Sequence, residues 1–139
     1  MKLFFNIVSI TEKKTKNMKN QKAYSNLAVW QESLDFVKDI YLLTDIFPEE
    51  EQNGIIKQLK ENVISIPTNI SKALLHHSNE SLLKYFHNAL DCLAEIDTLL
   101  IISLELEYLK QDGTDKYHEK IEKIKSLILA VVKKFERDI

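Results

Sequence analysis

The stretch at residues 55–70, IIKQLKENVISIPTNI, decides the fold because it places a proline inside an amphipathic helix. Pro67 has no N–H to donate to the carbonyl of Val63, and its ring crowds that turn. We therefore predict a long helix that bends at Pro67 on its core-facing side. Its apolar residues recur at the three-and-four spacing of one helical face, at Ile55, Ile56, Leu59, Val63, Ile66 and Ile70.

The composition of the whole chain favours one all-helical domain. Its 139 residues include only two glycines and two prolines, while Leu, Ile, Lys and Glu dominate. The single cysteine, Cys92, excludes an intrachain disulfide and a cysteine-rich zinc site. It is also typical of a reducing compartment, so we expect a cytoplasmic protein. No apolar run approaches the roughly 18 residues of a membrane span.

Charge divides the chain into two parts. Residues 1–22 carry six lysines and one glutamate, a net charge of +5, and residues 23–139 carry 13 basic and 20 acidic side chains, a net charge of −7. We interpret residues 1–22 as a basic, disordered extension whose apolar run at residues 3–10 is a candidate for docking on a partner. The alternative is that residues 1–17 come from upstream translation and that Met18 is the natural start. An acidic body argues against a broad phosphate-binding surface.

Apolar periodicity and helix-end signals predict four helices. Pro48 suits the first position of the second helix, and Ser78 or Asn79 can cap the third. Gln111-Asp112-Gly113 is typical of a turn with a glycine stop. Short connections make the helices antiparallel neighbours, so residues 23–139 should form an all-α, up-down-up-down antiparallel four-helix bundle with a kinked second helix. The predicted helices cover about residues 26–46, 48–75, 79–110 and 115 onwards.

Apolar residues on the first, third and fourth helices lead to predictions about packing. The stripe that we expect on the core side of the first helix is Leu27, Trp30, Leu34, Val37, Tyr41 and Thr44. The third and fourth helices have more apolar residues than one core needs, which favours an oligomer interface over a wide core with scattered surface leucines. The surplus residues are Leu99, Ile101, Ile102, Leu106, Leu127, Leu129 and Val132.

The sequence offers little support for catalysis or metal binding. No histidine follows a glutamate at the Glu-x-x-His spacing of di-iron bundles. The best remaining candidate for metal binding is a ladder of three side chains four residues apart on one helical face, His87, Asp91 and Glu95. We interpret it as a polar face exposed to solvent. Cys92 lies among apolar residues and is interpreted as an inert packed thiol. We therefore predict no catalytic residue, no metal and no cofactor.

Polar residues surround Pro67, where a bent helix frees a carbonyl that needs a donor. We hypothesise that Asn69 or Ser65 bonds across to Glu95 and so fixes the packing of the second and third helices. The alternative is a polar face in solvent or at an interface. The predicted structural signature is thus Ser65, Pro67, Asn69 and Glu95.

Several stretches resemble the motifs of one known family. The segment that includes Trp30 and Gln31 is similar to an opening Y-x-x-L-x-V-W-Q motif, and Ile46-Phe47-Pro48 resembles the first connection. Residues 58–70 resemble QL…SIPSNIAEG, and residues 89–98 resemble AL-x-x-LAELET. Over about residues 24–137 the chain is identified as a member of the four-helix bundle proteins named after the 23S rRNA intervening sequence. These are relatives of the accessory protein of diversity-generating retroelements.

The resemblance implies a small cytosolic bacterial bundle without known catalysis that assembles as a ring, typically a pentamer. Such a homo-oligomer would account for the surplus apolar faces, and a further protein partner is compatible with it. The chain departs from the motif at Ser71-Lys72-Ala73, where the family has Ala-Glu-Gly.

Nucleic-acid binding is the alternative that the resemblance brings, because the retroelement members are basic and are thought to bind nucleic acid. The acidic body disfavours it here. The contacts available, besides the lysine-rich extension, are the cations of the fourth helix, some of which face acidic neighbours at helical spacing. They are Lys116, Lys120, Lys123, Lys133, Lys134 and Arg137.

Overall fold

The structure, a computed structural model, describes residues 24–75 and 78–136. The basic extension at residues 1–22, the alternative start at Met18 and the contact residue Arg137 lie outside the described residues. Short 3-10 turns occupy Glu49–Glu51 and Gln111–Gly113 in the connections. The four helices of the described part are α1 (Tyr24–Thr44), α2 (Ile55–Leu75), α3 (Asn79–Glu105) and α4 (Asp115–Glu136).

The helices form a closed antiparallel bundle. Helix α1 packs on α2, α2 on α3, α3 on α4, and α4 returns to α1. Helix α2 is bent and runs through the buried Pro67. The predicted up-down-up-down four-helix bundle with a kinked second helix is therefore confirmed. No helix within the described residues combines the length and apolar character needed to cross a membrane.

The core side of α1 differs from the predicted stripe. The side chains that α1 buries are Val29, Ser33, Phe36, Ile40, Leu43 and Thr44. Of the predicted stripe, Thr44 alone is buried, and Leu27 has no described side chain. The other four members lie at the edge of the core: Trp30, Leu34 and Val37 are half-buried and Tyr41 is 39% exposed. The predicted stripe lies one position too late along α1. The true core face was overlooked because a polar residue, Ser33, occupies its centre.

Buried hydroxyl groups in this core are satisfied by the backbone. The Ser33 hydroxyl donates to the carbonyl of Trp30 at 2.6 Å, and the Ser103 hydroxyl of α3 donates to the carbonyl of Leu99 at 2.7 Å. Thr44 and Thr114 make equivalent bonds to carbonyls three residues earlier. A hydroxyl that donates within its own helix carries no unsatisfied donor into the interior, so it can replace an apolar residue there.

Helix α3 ends five residues earlier than the predicted Lys110, at Glu105. Glu107 adopts φ 62°, and the N–H groups of Glu107 and Tyr108 donate to the carbonyls of Leu104 and Ser103 at 3.0 and 2.9 Å. This is the hydrogen-bond pattern of a Schellman cap. The residue that stops α3 is therefore a glutamate in the left-handed region. Gly113 lies in the following 3-10 turn without a positive φ, so the predicted glycine stop is wrong.

The first connection is tied to the second at one end of the bundle. Pro48 caps a 3-10 turn instead of opening α2, which corrects the predicted helix start. One carboxylate oxygen of Glu51 accepts from the backbone N–H of Ile55 at 3.1 Å and so caps α2. The other oxygen accepts from the Tyr108 hydroxyl at 3.1 Å, and the Tyr108 ring packs on Phe47 with centroids 5.7 Å apart. The acidic residues after Pro48 thus hold two connections together.

Polar side-chain contacts join α4 to both of its neighbours. Lys120 and Lys123 contact the Glu32 carboxylate of α1 at 2.5 and 2.9 Å. On the other side, His118 Nδ1 lies 2.6 Å from Asp97 Oδ1 of α3. Partial burial acts to raise the pKa of Glu32, but the hydrogen bonds and charges of the two lysines outweigh it and hold that pKa below its ordinary value. The carboxylate therefore stabilises the fold in its ionised form.

The cap at Glu107 predicts a stabilising substitution. Glu107→Gly should raise the free energy of unfolding by about 1 kcal/mol, because glycine adopts a positive φ without the steric cost of a Cβ. Urea denaturation at 25 °C measures the change. Glu107→Ala is the matched control, since it removes the same carboxylate but keeps the Cβ. Equal stability of the glycine and alanine variants would show that backbone strain at this position is negligible.

The lowered pKa of Glu32 predicts a pH-dependent stability difference. Glu32→Gln should cost roughly 1 kcal/mol at pH 7, near the upper end for partly exposed ion pairs. The cost should shrink as the pH falls below the ordinary carboxyl pKa of 4.5, because the wild-type carboxylate then takes up the proton that it excluded. Thermal unfolding between pH 3 and 7 measures it. Glu119→Gln, which removes an exposed carboxylate of α4, is the control, and a difference that is undiminished at pH 3 contradicts the ion-pair origin.

Candidate interaction surface

An open apolar groove runs between α1 and α2, with a volume of about 280 Å³. Its central residue is Pro67, buried in α2, and Ile64 beside it is 42% exposed. At one end of the α1 stripe Lys60 Nζ lies 4.8 Å above the centroid of the Tyr41 ring. We call this surface the α1–α2 groove, and it is lined by Trp30, Leu34, Val37, Ile64, Pro67, Thr68 and Ser71.

The polar residues around Pro67 bond within their own helix. The Ser65 hydroxyl donates to the carbonyl of Glu61 at 2.9 Å, and the Asn69 amide donates to the carbonyl of Ser65 at 2.7 Å. The Thr68 hydroxyl lies within hydrogen-bond distance of the carbonyls of Ile64 and Ser65, at 3.2 and 3.0 Å. Such bonds to the preceding turn accompany helix bending. The acceptors are the carbonyls of Glu61, Ile64 and Ser65, which flank the Val63 carbonyl that the proline leaves without its usual donor.

The hypothesised bond from Ser65 or Asn69 to Glu95 is not the arrangement in the structure. Glu95 is exposed on α3, and both proposed donors are directed to carbonyls on α2. The physical reason is that the carbonyls one turn earlier in α2 lie within hydrogen-bond distance of these short side chains. From α2, Ser65 instead affects Cys92 of α3, since its hydroxyl acts to lower the pKa of the thiol.

Cys92 lies in an environment that favours the neutral thiol. Burial raises the pKa of the Cys92 thiol, the charges of Glu95 and Asp91 raise it further, and only the bond with Ser65 acts in the opposite sense. A thiol of this kind is a poor nucleophile. His87, Asp91 and Glu95, the ladder considered for metal binding, are all exposed. Among the described residues no three His, Cys, Asp or Glu side chains are grouped so that they could hold a metal ion.

The cations predicted as possible nucleic-acid contacts have different surroundings. Lys120 and Lys123 are paired with Glu32 of α1. Lys116 Nζ lies 5.1 Å above the centroid of the Tyr117 ring. Lys133 and Lys134 are exposed in the last turn of α4. Two of the five described cations thus already neutralise a carboxylate of the same chain.

The surplus apolar residues of α3 and α4 divide into two groups. Leu99 and Val132 belong to the core, and Leu127 is half-buried against it, so for these three the wide-core alternative holds. The others remain on the surface with exposures between 40% and 50%, namely Ile101, Ile102, Leu106 and Leu129.

A second cavity, of about 410 Å³, lies at the end of the bundle that carries the connections. Apolar residues such as Leu43 and Ile46 line it together with Glu107, Lys110 and Lys116. Its charged lining has both signs and its walls are mostly connecting residues. The α1–α2 groove is the stronger candidate because rigid helices form its walls and apolar side chains dominate its lining.

The α1–α2 groove was missed by sequence reasoning although its residues had been singled out. Trp30, Leu34 and Val37 were assigned to the core, and Pro67 was assigned to a packing role alone. A helical stripe of half-buried residues has the same sequence period as a fully buried one, so periodicity cannot separate them. The available signal was Val29, Phe36 and Ile40, which form a second stripe one position earlier.

Comparisons with known proteins agree with this architecture. A crystal structure of a protein of unknown function from the S23 ribosomal protein family of Bacteroides thetaiotaomicron VPI-5482 superposes with a TM-score of 0.72 at 22% identity, covering 78% of this chain and 98% of that one. None of the curated proteins searched matches the chain. The family model described as 23S rRNA-intervening sequence protein matches residues 25–130. With three quarters of its length matched, and with the bundle and the proline-bearing helix in place, the chain belongs to the 23S rRNA-intervening sequence protein family.

Proposed function

We propose that this protein is a non-enzymatic module that self-associates through the α1–α2 groove and acts by protein–protein contact. The observation that carries the proposal is the position of the sequence motifs. Trp30 of the opening motif and Pro67 and Thr68 of the proline segment come from different helices, yet they line the same groove. Apolar side chains that remain accessible on rigid helices favour contact with another macromolecule.

The net charges of α1 and α2 support a second copy as the occupant. Helix α1 has three carboxylates and one lysine, whereas α2 has three lysines and one carboxylate. One copy can therefore present its α1 to the α2 of another copy with opposite net charges, while Glu32 and Asp35 of α1 face α4 and not the groove. The mixed polarity around an apolar centre is the usual anatomy of a protein–protein interface. The ring of five copies that the family resemblance implies, and the cytoplasmic location, stay predictions.

Self-association predicts a concentration-dependent mass that one groove substitution abolishes. Ile64→Asp should weaken assembly by at least about tenfold, roughly 1.4 kcal/mol, because a carboxylate would be desolvated in an apolar contact. Light scattering after size-exclusion chromatography at micromolar concentration measures the mass, and circular dichroism checks that the helices are retained.

Leu129→Asp is the matched control, since Leu129 on α4 is 43% exposed and Ile64 is 42% exposed. It should leave the mass unchanged if the groove is the contact. If Leu129→Asp dissociates the assembly and Ile64→Asp does not, the interface lies on the α3–α4 side instead. A wild-type chain that stays monomeric throughout the micromolar range would refute self-association itself.

Nucleic-acid binding is the alternative function, and it rests on the lysine-rich residues 1–22 together with the exposed Lys133 and Lys134. We expect the full chain to show no retention on RNA or DNA at 50 mM salt, because its body has an excess of carboxylates. Fluorescence anisotropy with labelled single- and double-stranded oligonucleotides tests this. Affinity that falls steeply with rising salt, and that is lost in Lys133→Ala with Lys134→Ala, would establish the alternative.

A further inference from the structure

We propose that residues 3–10 of the chain dock into the α1–α2 groove of the same molecule. The occupant is thus a named segment of this protein that lies outside the described residues. This inference goes beyond self-association, because it assigns an intramolecular ligand to the groove. The proposal rests on the composition of the segment, its tether to α1 and its charge.

The segment has the chemistry that the groove accepts. Six of its eight residues are apolar, and Leu3, Ile7 and Ile10 recur at the i, i+4 and i+7 spacing of peptides that anchor in a hydrophobic groove. The groove offers the rings of Trp30 and Pro67 and aliphatic side chains such as Ile64. Burying two or three such side chains in the groove would remove apolar surface from water, which favours docking.

The tether brings the segment to this groove in preference to more distant surfaces. Helix α1 begins at Tyr24, so Trp30 lies only about 9 Å, and Val37 only about 20 Å, along the same helix at 1.5 Å per residue. Thirteen residues, 11–23, separate the segment from α1, and a flexible chain of that length would have a typical end-to-end distance of about 20 Å. A tether whose typical span matches the distance to its target gives an effective concentration in the millimolar range. A modest intrinsic affinity is then sufficient for docking.

Charge on the tether favours contact with α1. Residues 11–23 contain five lysines and one glutamate, whereas α1 carries Glu32, Asp35 and Asp39 on the side of the helix away from the groove. Glu32 is held by α4, and Asp35 lies 4.0 Å from Lys120 of α4 but has a side chain that is 66% exposed. Attraction between the tether and α1 would keep the segment close to the helix that carries the groove, and it would weaken as added salt screens it.

Docking in the same molecule has a consequence for assembly, and this part of the inference rests on the proposed function. A second copy and the tethered segment would compete for one surface. Removing the segment from the groove should therefore lower the concentration at which copies associate. The segment would then set the threshold for self-association.

Trp30 provides a direct test because it is the sole tryptophan of the chain and it lines the groove. The full chain is compared with a variant that carries Phe4→Asp and Ile7→Asp, at a dilution where light scattering gives a monomeric mass for both. We expect acrylamide to quench Trp30 at least twofold faster in the variant, with a red-shifted emission maximum and an unchanged helical circular dichroism spectrum. The matched control places the same two charges in the tether, as Thr11→Asp and Thr15→Asp, and should leave Trp30 shielded.

Equal quenching of Trp30 in the monomeric wild type and in the Phe4→Asp, Ile7→Asp variant would overturn the proposal. Shielding of Trp30 that develops only as the mass increases would also overturn it, because the occupant would then be another molecule. Neither result depends on whether self-association occurs, which is judged separately from the mass at high concentration. Tighter assembly of the docking variant than of the wild type would support both inferences together.

Discussion

The missing N–H of Pro67 is the constraint on which the rest of the structure depends. A proline in the middle of a helix leaves a carbonyl in the preceding turn without its usual partner, and the helix bends to accommodate the ring. Side-chain donors accompany the bend, since Ser65 bonds the carbonyl of Glu61, and Thr68 and Asn69 bond that of Ser65. Because α2 packs against both α1 and α3, its bent shape bears on two helix contacts. On the α3 side the interface is a filled core. On the α1 side it includes an open groove that Pro67 itself lines.

The groove exists because α1 has two apolar faces and only one of them enters the core. Val29, Phe36 and Ile40 fill the interior, and Ser33 fits among them because its hydroxyl is bonded to the backbone. The neighbouring stripe that includes Trp30 is left half-buried at the edge. Helix pairs that bury only one stripe each commonly expose the second to solvent, and natural proteins seldom retain such a stripe without using it. The groove therefore results from the rotation of α1 that turns Val29, Phe36 and Ile40 into the core. The same rotation leaves the stripe that includes Trp30 accessible for contact.

Much of this fold could be predicted from the sequence, and the failures have identifiable physical causes. The helix number, the Ser78 cap and the passage of α2 through Pro67 depend on local chemistry, which a sequence displays directly. The core face of α1 was misassigned because two apolar stripes of equal period compete and tertiary packing alone selects one. The end of α3 was misplaced because a glutamate adopts a conformation that sequence rules reserve for glycine. The contact with Glu95 failed because nearby carbonyls outcompete a distant carboxylate for the donors beside Pro67.

The distribution of charge distinguishes the helices that build the bundle from the surface that it presents. Lys120 and Lys123 of α4 form ion pairs with Glu32 of α1. These pairs stabilise the α1–α4 contact and neutralise positive charge on that side of the bundle. Helix α2 keeps its lysines on exposed positions such as Lys57 and Lys72, and α1 keeps Asp35 exposed. The apolar groove therefore lies between two helices of opposite net charge, and the carboxylates Glu32 and Asp35 are on the side of α1 that faces α4. A surface of this kind has the features that orient a macromolecular partner, and it lacks the convergent polar groups that would polarise a small substrate. The physical case for an interaction module thus rests on the apolar groove and on the charged side chains that remain exposed on the surface of the closed bundle.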